Sequence, residues 1–445
     1  MTASAPFDLI LRGGTVVNQD GIGLADLGVR GGKVAEIGDL SGRSAAEAVD
    51  CTGLHLLPGV IDSQVHFREP GAEWKEDLES GARAAALGGV TAVFEMPNTN
   101  PTTTTPEALA DKIDRATGRM AVDFGFWFGA TAENAETLAE AERLPGCAGV
   151  KMFMGSSTGT LLVSEDEHVA RVLRNGRRRV AVHSEEEPRL RARMGERVPG
   201  DPASHPVWRD VTAALMCTER LIRLAREAGR RVHVLHISTA EELPVLAANK
   251  DLITAEATPH HLTLDASEYA RLGTYLQMNP PVREARHRVA LMEAVRQGII
   301  DVLGSDHAPH SREEKAKPYP ESPSGMPGVQ TLVPVMLDQV AKGALTLERF
   351  VDLTSHGPQR LFGIAGKGRL AVGWDADVTV VDLKARRVIE DRWIASKCGW
   401  TPYAGREVTG WPVGTVVRGR RVMWEGELAA PAGGAPVRFQ EGWVG

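Results

Sequence analysis

Between residues 58 and 365, short apolar runs that favour β-strands alternate with segments rich in Ala, Glu, Arg and Leu that favour helices. Examples of the helical segments are Asp77–Leu87 and Thr212–Ala228. Strands that alternate with helices form parallel sheets, and eight such units can close into a cylinder. The pattern predicts an α/β fold, a (β/α)8 TIM barrel, with strands near Gly59–Ile61, Ala92–Glu95, Phe124–Gly129, Gly149–Met154, Arg179–His183, Arg231–His236, Ile253–Ala257 and Val302–Gly304.

The two ends of the chain have a different texture, with short β-rich segments separated by glycines. The first end contains Phe7–Leu11, Thr15–Val17, Asp26–Val29 and Lys33–Ile37, and the second contains Val378–Val381 and Val416–Val422. Such segments are typical of hairpins. We predict one small β-sandwich domain formed by both termini, with the barrel inserted between them. The expected division is 1–57, 58–365 and 366–445.

Composition restricts the partners that we expect. The chain is 42% hydrophobic and 24% charged, as in ordinary globular proteins, and its formal charge of −7 argues against nucleic acid and anionic membranes. No run of 18 apolar residues occurs, and the first residues lack the pattern of a secretory signal. The cysteines are far apart, which favours reduced thiols. We therefore expect a cytoplasmic protein whose partner is a small molecule, with no nucleic acid and no membrane.

Polar side chains follow several of the predicted strands at the point where each strand ends. In a barrel of this type, these ends meet at one mouth, where the chemistry takes place. A single histidine at a strand end is typical of a structural hydrogen bond, but this set predicts a metal site. The residues concerned are His66 after the first strand, Lys151 in the fourth, His183 in the fifth, His236 in the sixth and Asp306 after the eighth.

Four motifs carry a resemblance to a known family: His66–Gly71 (HFREPG), Met96–Pro101 (MPNTNP), Asn279–Pro281 (NPP) and Asp306–His310 (DHAPH). From about Asp8 to Glu427 the chain resembles the cyclic amidohydrolases, the group of dihydroorotases, hydantoinases and allantoinases. Within the group it most resembles the class I dihydroorotases. The resemblance implies reversible conversion between dihydroorotate and N-carbamoyl-aspartate in pyrimidine biosynthesis, and, by family analogy, a homodimer.

The resemblance also implies roles for individual residues at the mouth. His66 would bind the more buried metal, Lys151 would bridge two metals after carbamylation by CO2, and His183 and His236 would bind the second metal. Asp306 would touch the metal and carry protons during catalysis. Imidazole and carboxylate-type ligands with an open position suit Zn²⁺, so we expect one or two zinc ions per chain.

Gln64 departs from the family pattern, in which a histidine precedes His66 by two residues. Residues two apart on a strand share a face, so Gln64 is expected beside His66. An amide oxygen is a poorer zinc ligand than imidazole. The substitution leaves three consequences open: a weakened first metal site, a single-metal enzyme, or reduced activity.

The substrate-binding residues are assigned by the same resemblance. Arg68, Asn98 and His310 would hold the carboxylate of dihydroorotate, because a carboxylate favours a planar guanidinium partner. Asn279, Ser324 and Gly325 would contact the pyrimidine ring. The alternative is that Arg68 forms an ion pair with Glu69 or Glu95.

Two other functions remain open from the sequence. One is a hydantoinase-like or allantoinase-like cyclic amidase, and the other is a dihydroorotase-like scaffold subunit with weak activity. Some neighbouring residues are expected to have structural roles only. We expect packing near the site for His260 and His261, a solvated or locally paired run for Glu185–Glu187, and a loop over the mouth for Glu313–Lys315.

Overall fold

A computed structural model of the chain describes residues 6–157, 159–429 and 431–440. Its strands form two sheets, one with eight strands and one with nine. The larger sheet begins with β1 (Phe7–Asn18), β2 (Gly21–Arg30), β3 (Lys33–Gly38), β4 (Ala45–Asp50) and β5 (His55–Pro58). β1 pairs antiparallel with β2 and parallel with both β4 and β5.

The eight-stranded sheet is the parallel barrel that the alternating pattern predicts. Its strands are buried along their whole length, as expected where helices cover the outside of a parallel sheet. A parallel bridge between Val65 and His307 links the first strand to the segment after the last. The strands are β6 (Val60–Val65), β7 (Val90–Glu95), β8 (Asp123–Gly129), β9 (Cys147–Phe153), β10 (Val180–His183), β11 (Val232–Val234), β12 (Ile253–Ala257) and β13 (Val302–Leu303).

The second end of the chain completes the nine-stranded sheet with β14 (Val378–Val388), β15 (Glu407–Val417), β16 (Arg420–Trp424) and β17 (Glu427–Leu428). β14 pairs antiparallel with β5, so strands from both ends lie side by side. This confirms a TIM barrel with a small β-sandwich domain formed by both termini. The division at 57/58 and 365/366 stays a prediction.

The helices lie between the barrel strands and around the barrel mouth. The α-helices are α1 (Leu78–Leu87), α2 (Pro106–Ala116), α3 (Leu138–Ala141), α4 (Asp166–Arg174), α5 (Glu187–Ala192), α6 (His205–Trp208), α7 (Val211–Ala228), α8 (Glu242–Ala247), α9 (Pro259–Thr263), α10 (Tyr269–Leu272), α11 (Ala285–Arg296), α12 (Arg312–Lys315), α13 (Leu332–Ala341), α14 (Leu347–Val351) and α15 (Gly357–Phe362). Short 3₁₀ segments occupy Ala135–Thr137, Met194–Glu196, Pro202–Ser204, Ala266–Glu268, Gly273–Leu276 and Asp391–Trp393, and a π-helical turn occupies Asp352–His356.

Local sequence explains where the longer helices begin and end. Asp77 caps α1 by accepting a hydrogen bond from the backbone N–H of Ser80, and Asp210 caps α7 in the same way from Ala213. α7 ends at Gly229, whose φ of 63° suits a residue without a side chain. No helix in the described parts of the chain is long and apolar enough to cross a bilayer.

A buried charge cluster joins the β-sandwich domain to the barrel. Lys367 Nζ lies 2.6 Å from a carboxylate oxygen of Asp123, at the start of β8, and 2.6 Å from one of Asp377, next to β14. The segment 434–440 also returns to the barrel, with bridges from Pro436 to Phe124 and from Phe439 to Ile364. These contacts lie at the amino-terminal end of the barrel strands, away from the mouth formed by the carboxyl-terminal ends of the same strands.

Candidate active site

One cleft at the carboxyl end of the barrel strands brings the predicted site residues together. His310 lies directly behind the cleft, where it contacts Arg68 and Ser324. The cleft is also lined by Phe153, Ser157 and Ala308, to which the sequence analysis assigned no role. The predicted residues in its lining are Gln64, His66, Arg68, Asn98, Lys151, His183, His236, Asn279, Asp306, Ser324 and Gly325.

Backbone strain is concentrated at this cleft. Among the described residues other than glycine, five have a positive φ, and three of these are Arg68 (63°), His236 (41°) and Asp306 (48°). Side chains other than glycine rarely adopt this region, and strained residues cluster where a side chain must be held in one direction. Each of the three follows a barrel strand and directs its side chain into the mouth.

His183 and His236 present nitrogen atoms to each other. Nδ1 of His183 lies 3.0 Å from Nε2 of His236, and both side chains are buried. Burial lowers the pKa of both imidazoles, which favours the neutral form that binds metals. Two nitrogen ligands of a tetrahedral zinc ion lie roughly 3.3 Å apart, given bonds of about 2.0–2.1 Å. The pair therefore fits a shared cation.

Lys151 is a further side chain in the lining of this cleft that could hold such a cation. Across the described residues, no three His, Cys, Asp or Glu side chains converge closely enough to hold a metal ion by themselves. Lys151 is buried, and its Nζ lies 4.4 Å from the centre of the Phe153 ring. Burial lowers the pKa of Lys151 to about 7, so a large share of the amine is neutral at neutral pH. A neutral amine is nucleophilic, as modification by CO2 requires.

His66 and Asp306 form a second candidate position for a cation. His66 Nδ1 lies 2.8 Å from Asn98 Oδ1, an acceptor, so Nδ1 carries the proton in the neutral ring. The unprotonated Nε2 then faces Asp306 Oδ1 at 3.2 Å. Two acceptors at this distance need a proton or a cation between them. The arrangement fits a metal ligand pair.

Gln64 lies beside this pair, as its place on β6 predicts. Its Nε2 donates a hydrogen bond to Asp306 Oδ1 at 3.0 Å. Its Oε1 is buried and has no hydrogen-bond partner among the described residues. Burying an acceptor without a hydrogen-bond partner costs folding free energy, and a cation bound to this oxygen would offset that cost. Gln64 thus presents one amide oxygen that could hold a cation, at the position where the resemblance implies a histidine.

Glu185 contacts the His183 nitrogen that faces away from His236, so of the two alternatives expected for Glu185–Glu187, solvated or locally paired, the structure has local pairing. Glu185 is fully buried, and its Oε2 lies 2.9 Å from His183 Nε2. Arg209 Nε donates to both of its oxygens at 3.1 Å. Burial would raise the pKa of Glu185, but Arg209 and His183 outweigh burial and lower it. The alternative of local pairing holds for its neighbours, since Glu186 pairs with Arg220 and Glu187 with Arg191.

Arg68 occupies the corner of the cleft beside His310. Its Nε donates to the carbonyl of Pro309 at 3.3 Å. The two carboxylates considered as partners for Arg68 are engaged elsewhere: Glu69 pairs with Arg119 at 2.7 Å, and Glu95 forms a buried pair with Lys112. The pairing with Lys112 also explains how a carboxylate is accommodated in the buried strand β7.

The residues expected to contact the substrate ring also line the cleft, and the carbonyl of Ser324 lies on the same side of the His310 ring as Arg68. Asn279 Oδ1 accepts from His205 Nε2 at 2.9 Å, and Gln277 Nε2 donates to Ser324 Oγ at 3.1 Å. Gly325 has a φ of 138°, and a Cβ there would lie 2.5 Å from the carbonyl oxygen of Ala308. Only glycine therefore fits at this wall of the cleft.

Lys315 corrects one expectation about the segment over the mouth. It is fully buried, and its Nζ donates to the carbonyls of Gln277, Pro323 and Gly325 at 3.2, 2.8 and 3.1 Å. Lys315 belongs to α12, and its hydrogen bonds hold the backbone of the cleft wall that contains Gly325. The sequence did not reveal this role, because a lysine in a polar run is typical of a solvated surface.

His260 and His261 pack beside the site, as expected. The ring of His260 stacks on Tyr403, with centroids 5.8 Å apart, and His261 Nε2 donates to the carbonyl of Pro280 at 3.1 Å. Neither histidine is among the residues that line the cleft.

Comparisons with known proteins agree with this architecture. A model described as the amidohydrolase family matches residues 55–422. The chain is 39% identical to a dihydroorotase of Halobacterium salinarum, over 86% of this chain and 89% of the relative. It is 34% identical to a dihydroorotase of Methanosarcina mazei, over 98% of each. The solved structure of an L-hydantoinase from Arthrobacter aurescens superposes with a TM-score of 0.90 at 32% identity, covering 96% of this chain and 98% of that one.

Proposed function

The chain belongs to the amidohydrolase family, and we propose that it is a metal-dependent dihydroorotase that interconverts dihydroorotate and N-carbamoyl-aspartate in pyrimidine biosynthesis. The observation that carries this proposal is the position of Arg68 in the same cleft as His183 and His236, while the two carboxylates considered as its partners are engaged elsewhere. Dihydroorotate carries a carboxylate, whereas hydantoin and dihydrouracil do not. Two relatives named dihydroorotase, which are 39% and 34% identical to this chain over most of its length, also support dihydroorotate as the substrate.

The metal would be held by His183, His236 and Lys151, with His66, Asp306 and Gln64 around a second position. We propose Zn²⁺, one or two ions per chain. When bound, the metal supplies a Lewis acid that makes a water molecule nucleophilic near neutral pH and polarises the ring carbonyl. Lys151 would react as the neutral amine with CO2, forming a carbamate and releasing one proton, and the carbamate would contribute two anionic oxygens.

Asp306 is the residue that we propose for proton transfer. Its carboxylate lies between Gln64 and His66 at the centre of the cleft. During hydrolysis it would take a proton from the attacking water and give it to the ring nitrogen as the C–N bond breaks. During cyclisation it would take a proton from the carbamoyl nitrogen as that nitrogen attacks the carboxyl carbon, and give it to the departing oxygen, which leaves as water.

The other residues of the cleft would bind and orient the substrate. Arg68, Asn98 and His310 would hold the carboxylate, while Asn279 and the Ser324–Gly325 wall would contact the ring. Holding the ring against Gly325 fixes the scissile amide relative to Asp306. Such orientation supplies a large part of the rate enhancement in enzymes of this type.

A substrate panel tests the proposal. Purified chain is assayed with dihydroorotate, hydantoin, dihydrouracil and allantoin, together with Arg68→Met and the exposed control Arg392→Met. We expect the highest kcat/KM with dihydroorotate, and a loss of at least about 100-fold in Arg68→Met with metal content unchanged. Higher kcat/KM with hydantoin or allantoin would contradict the proposed substrate. Metal-loaded chain that turns over none of the four would instead support a scaffold subunit.

We also propose that the enzyme acts in the cytoplasm as a homodimer. The spacing of four cysteines, all buried as free thiols in the described structure, supports a reducing compartment. Light scattering on the purified chain tests the dimer, since a monomer at micromolar concentration would contradict it.

A further inference from the structure

His310 is surrounded by four polar groups on two sides of its ring. On the Nδ1 side, Lys75 Nζ lies at 3.3 Å and Glu314 Oε2 at 3.6 Å. On the Nε2 side, an Arg68 terminal nitrogen lies at 3.3 Å and the carbonyl oxygen of Ser324 at 3.1 Å. Each side therefore offers His310 one donor and one acceptor.

These neighbours allow two neutral tautomers of His310. Lysine and arginine only donate hydrogen bonds, whereas carboxylate and carbonyl oxygens only accept them. With the proton on Nδ1, the ring donates to Glu314 and accepts from Arg68. With the proton on Nε2, it donates to Ser324 and accepts from Lys75. Burial lowers the pKa of His310 to about 3, so the doubly protonated ring is excluded at neutral pH.

The geometry on the Nδ1 side favours Lys75. Glu314 Oε2 is too distant for a good hydrogen bond to Nδ1 and already accepts from the backbone N–H of Ser311 at 3.0 Å. The other oxygen of Glu314 pairs with Lys75 at 2.7 Å. Glu314 thus holds the Lys75 ammonium beside His310 Nδ1. Because the ammonium can only donate, Nδ1 must be unprotonated and accept a hydrogen bond from Lys75. The proton then lies on Nε2, on the side of the cleft.

This tautomer leaves two donors facing the same space. Arg68 and His310 Nε2–H lie 3.3 Å apart, and neither can accept from the other. His310 Nε2–H also faces the carbonyl oxygen of Ser324 at 3.1 Å, so a carboxylate oxygen placed between Arg68 and His310 would accept from Arg68 and share the His310 hydrogen with that carbonyl. We propose that Lys75 is a positioning residue that fixes His310 as the Nε2–H tautomer, so that His310 and Arg68 together select cyclic amides that carry a carboxylate. The substrate part of this inference rests on the proposed function, whereas the tautomer does not.

The tautomer can be measured directly. Metal-loaded chain with ¹⁵N-labelled histidine is studied by long-range ¹⁵N–¹H correlation spectroscopy, and His310→Gln assigns the His310 signals. We expect a bare Nδ1 and a protonated Nε2 in the wild type, and a shift of the proton toward Nδ1 in Lys75→Met. A proton on Nδ1 in the wild type, or an unchanged tautomer in Lys75→Met, would overturn the proposal. The wild-type spectrum is decisive even if the variant fails to fold.

Kinetics provide a second readout. Loss of a charge-assisted hydrogen bond partner is expected to raise KM for dihydroorotate by about 10- to 100-fold in Lys75→Met, with a much smaller change in kcat. Lys75→Arg should restore part of the loss, and Lys384→Met on the β-sandwich domain should have no effect. Equal KM in Lys75→Met and wild type would overturn the selectivity role. If the wild-type protein does not turn over dihydroorotate, the proposed function is wrong. The tautomer of His310 is still decided in that case, because the spectrum does not depend on turnover.

Discussion

Gln64 donates its amide N–H to Asp306 Oδ1 at 3.0 Å, while its own Oε1 remains buried without a hydrogen-bond partner among the described residues. The residue that departs from the family pattern is therefore in direct contact with the residue proposed for proton transfer. This contact connects the number of metals to catalysis, because replacing Gln64 changes both the ligand set and the environment of Asp306.

Gln64→His should increase metal binding. An imidazole at this position would share a face of β6 with His66 and is a better zinc ligand than an amide. We expect the metal content to rise by up to about one equivalent per chain, measured by inductively coupled plasma mass spectrometry. Gln297→His, at an exposed position after α11, controls for metal bound by an added histidine alone. Equal metal content in Gln64→His and wild type would count against a ligand role at position 64.

Glu185→Gln should weaken the metal site without removing a ligand. Glu185 holds the ring of His183 through Nε2, and removal of such a supporting carboxylate typically costs 10- to 100-fold in metal affinity. We expect a loss of about that size in competition titrations with a chelator. Glu186→Gln, whose carboxylate pairs with Arg220, serves as the matched control. The same loss in both variants would show a general structural effect instead.

Asp306→Asn should separate binding from proton transfer. The amide keeps the shape of the carboxylate but cannot accept and release the proton, and general acid–base catalysis contributes about 10²- to 10⁴-fold. We expect kcat to fall by about that factor while calorimetric binding of dihydroorotate stays within a fewfold of wild type. A kcat near the wild-type value would exclude Asp306 as the proton carrier.

Lys112→Met should destabilise the chain and also disturb the substrate pocket. Lys112 and Glu95 form a buried ion pair, and removal of one partner of such a pair costs about 3–5 kcal/mol of unfolding free energy. The released Glu95 would attract Arg68 away from the substrate. Denaturant unfolding and KM for dihydroorotate measure the two effects. The double variant Glu95→Met/Lys112→Met should recover most of the stability, and its failure to do so would point to packing instead of charge.

His233 should make stability depend on pH below neutrality. Burial lowers the pKa of His233 to about 3, from an ordinary value of 6.5. As the pH falls, His233 becomes protonated in the unfolded chain before it does so in the folded chain. The stabilisation from the neutral, buried His233 is therefore complete above about pH 6.5. Below that, the unfolding free energy decreases by ~1.4 kcal/mol per pH unit until about pH 3. We expect the unfolding free energy of His233→Gln to fall less steeply with pH than that of wild type, measured by denaturant titration between pH 7 and 4. Parallel pH profiles would refute a neutral buried His233.

The sequence predicts the barrel well because several strands combine a buried apolar run with a polar residue at the end, as in β10 with His183. It also identifies the residues that meet at the mouth, since all strand ends of a parallel barrel face one way. It does not predict Glu185, which belongs to a charged run that resembles a solvated surface. Its burial depends on Arg209, 24 positions later in the chain.

The contact between Lys75 and His310 is missed for the same reason. These residues are 235 positions apart, and no local pattern links a lysine before α1 to a histidine after β13. Lys315 and the pairing of Glu95 with Lys112 are further examples. In each case the role of a charged side chain depends on a partner in another helix, strand or loop. The spacing of apolar residues along one helix or strand carries information about that element only.

The pairing of β5 with β14 has a consequence for how the chain is made. One residue separates β5 from the first barrel strand, β6. One neighbour of β5 in the sheet, β1, precedes it in the chain, but the other, β14, is synthesised more than 300 residues later. During translation, one edge of β5 therefore stays open until most of the nascent chain has left the ribosome. An open strand edge invites pairing with other chains, so early release of an incomplete polypeptide would favour aggregation over a functional barrel.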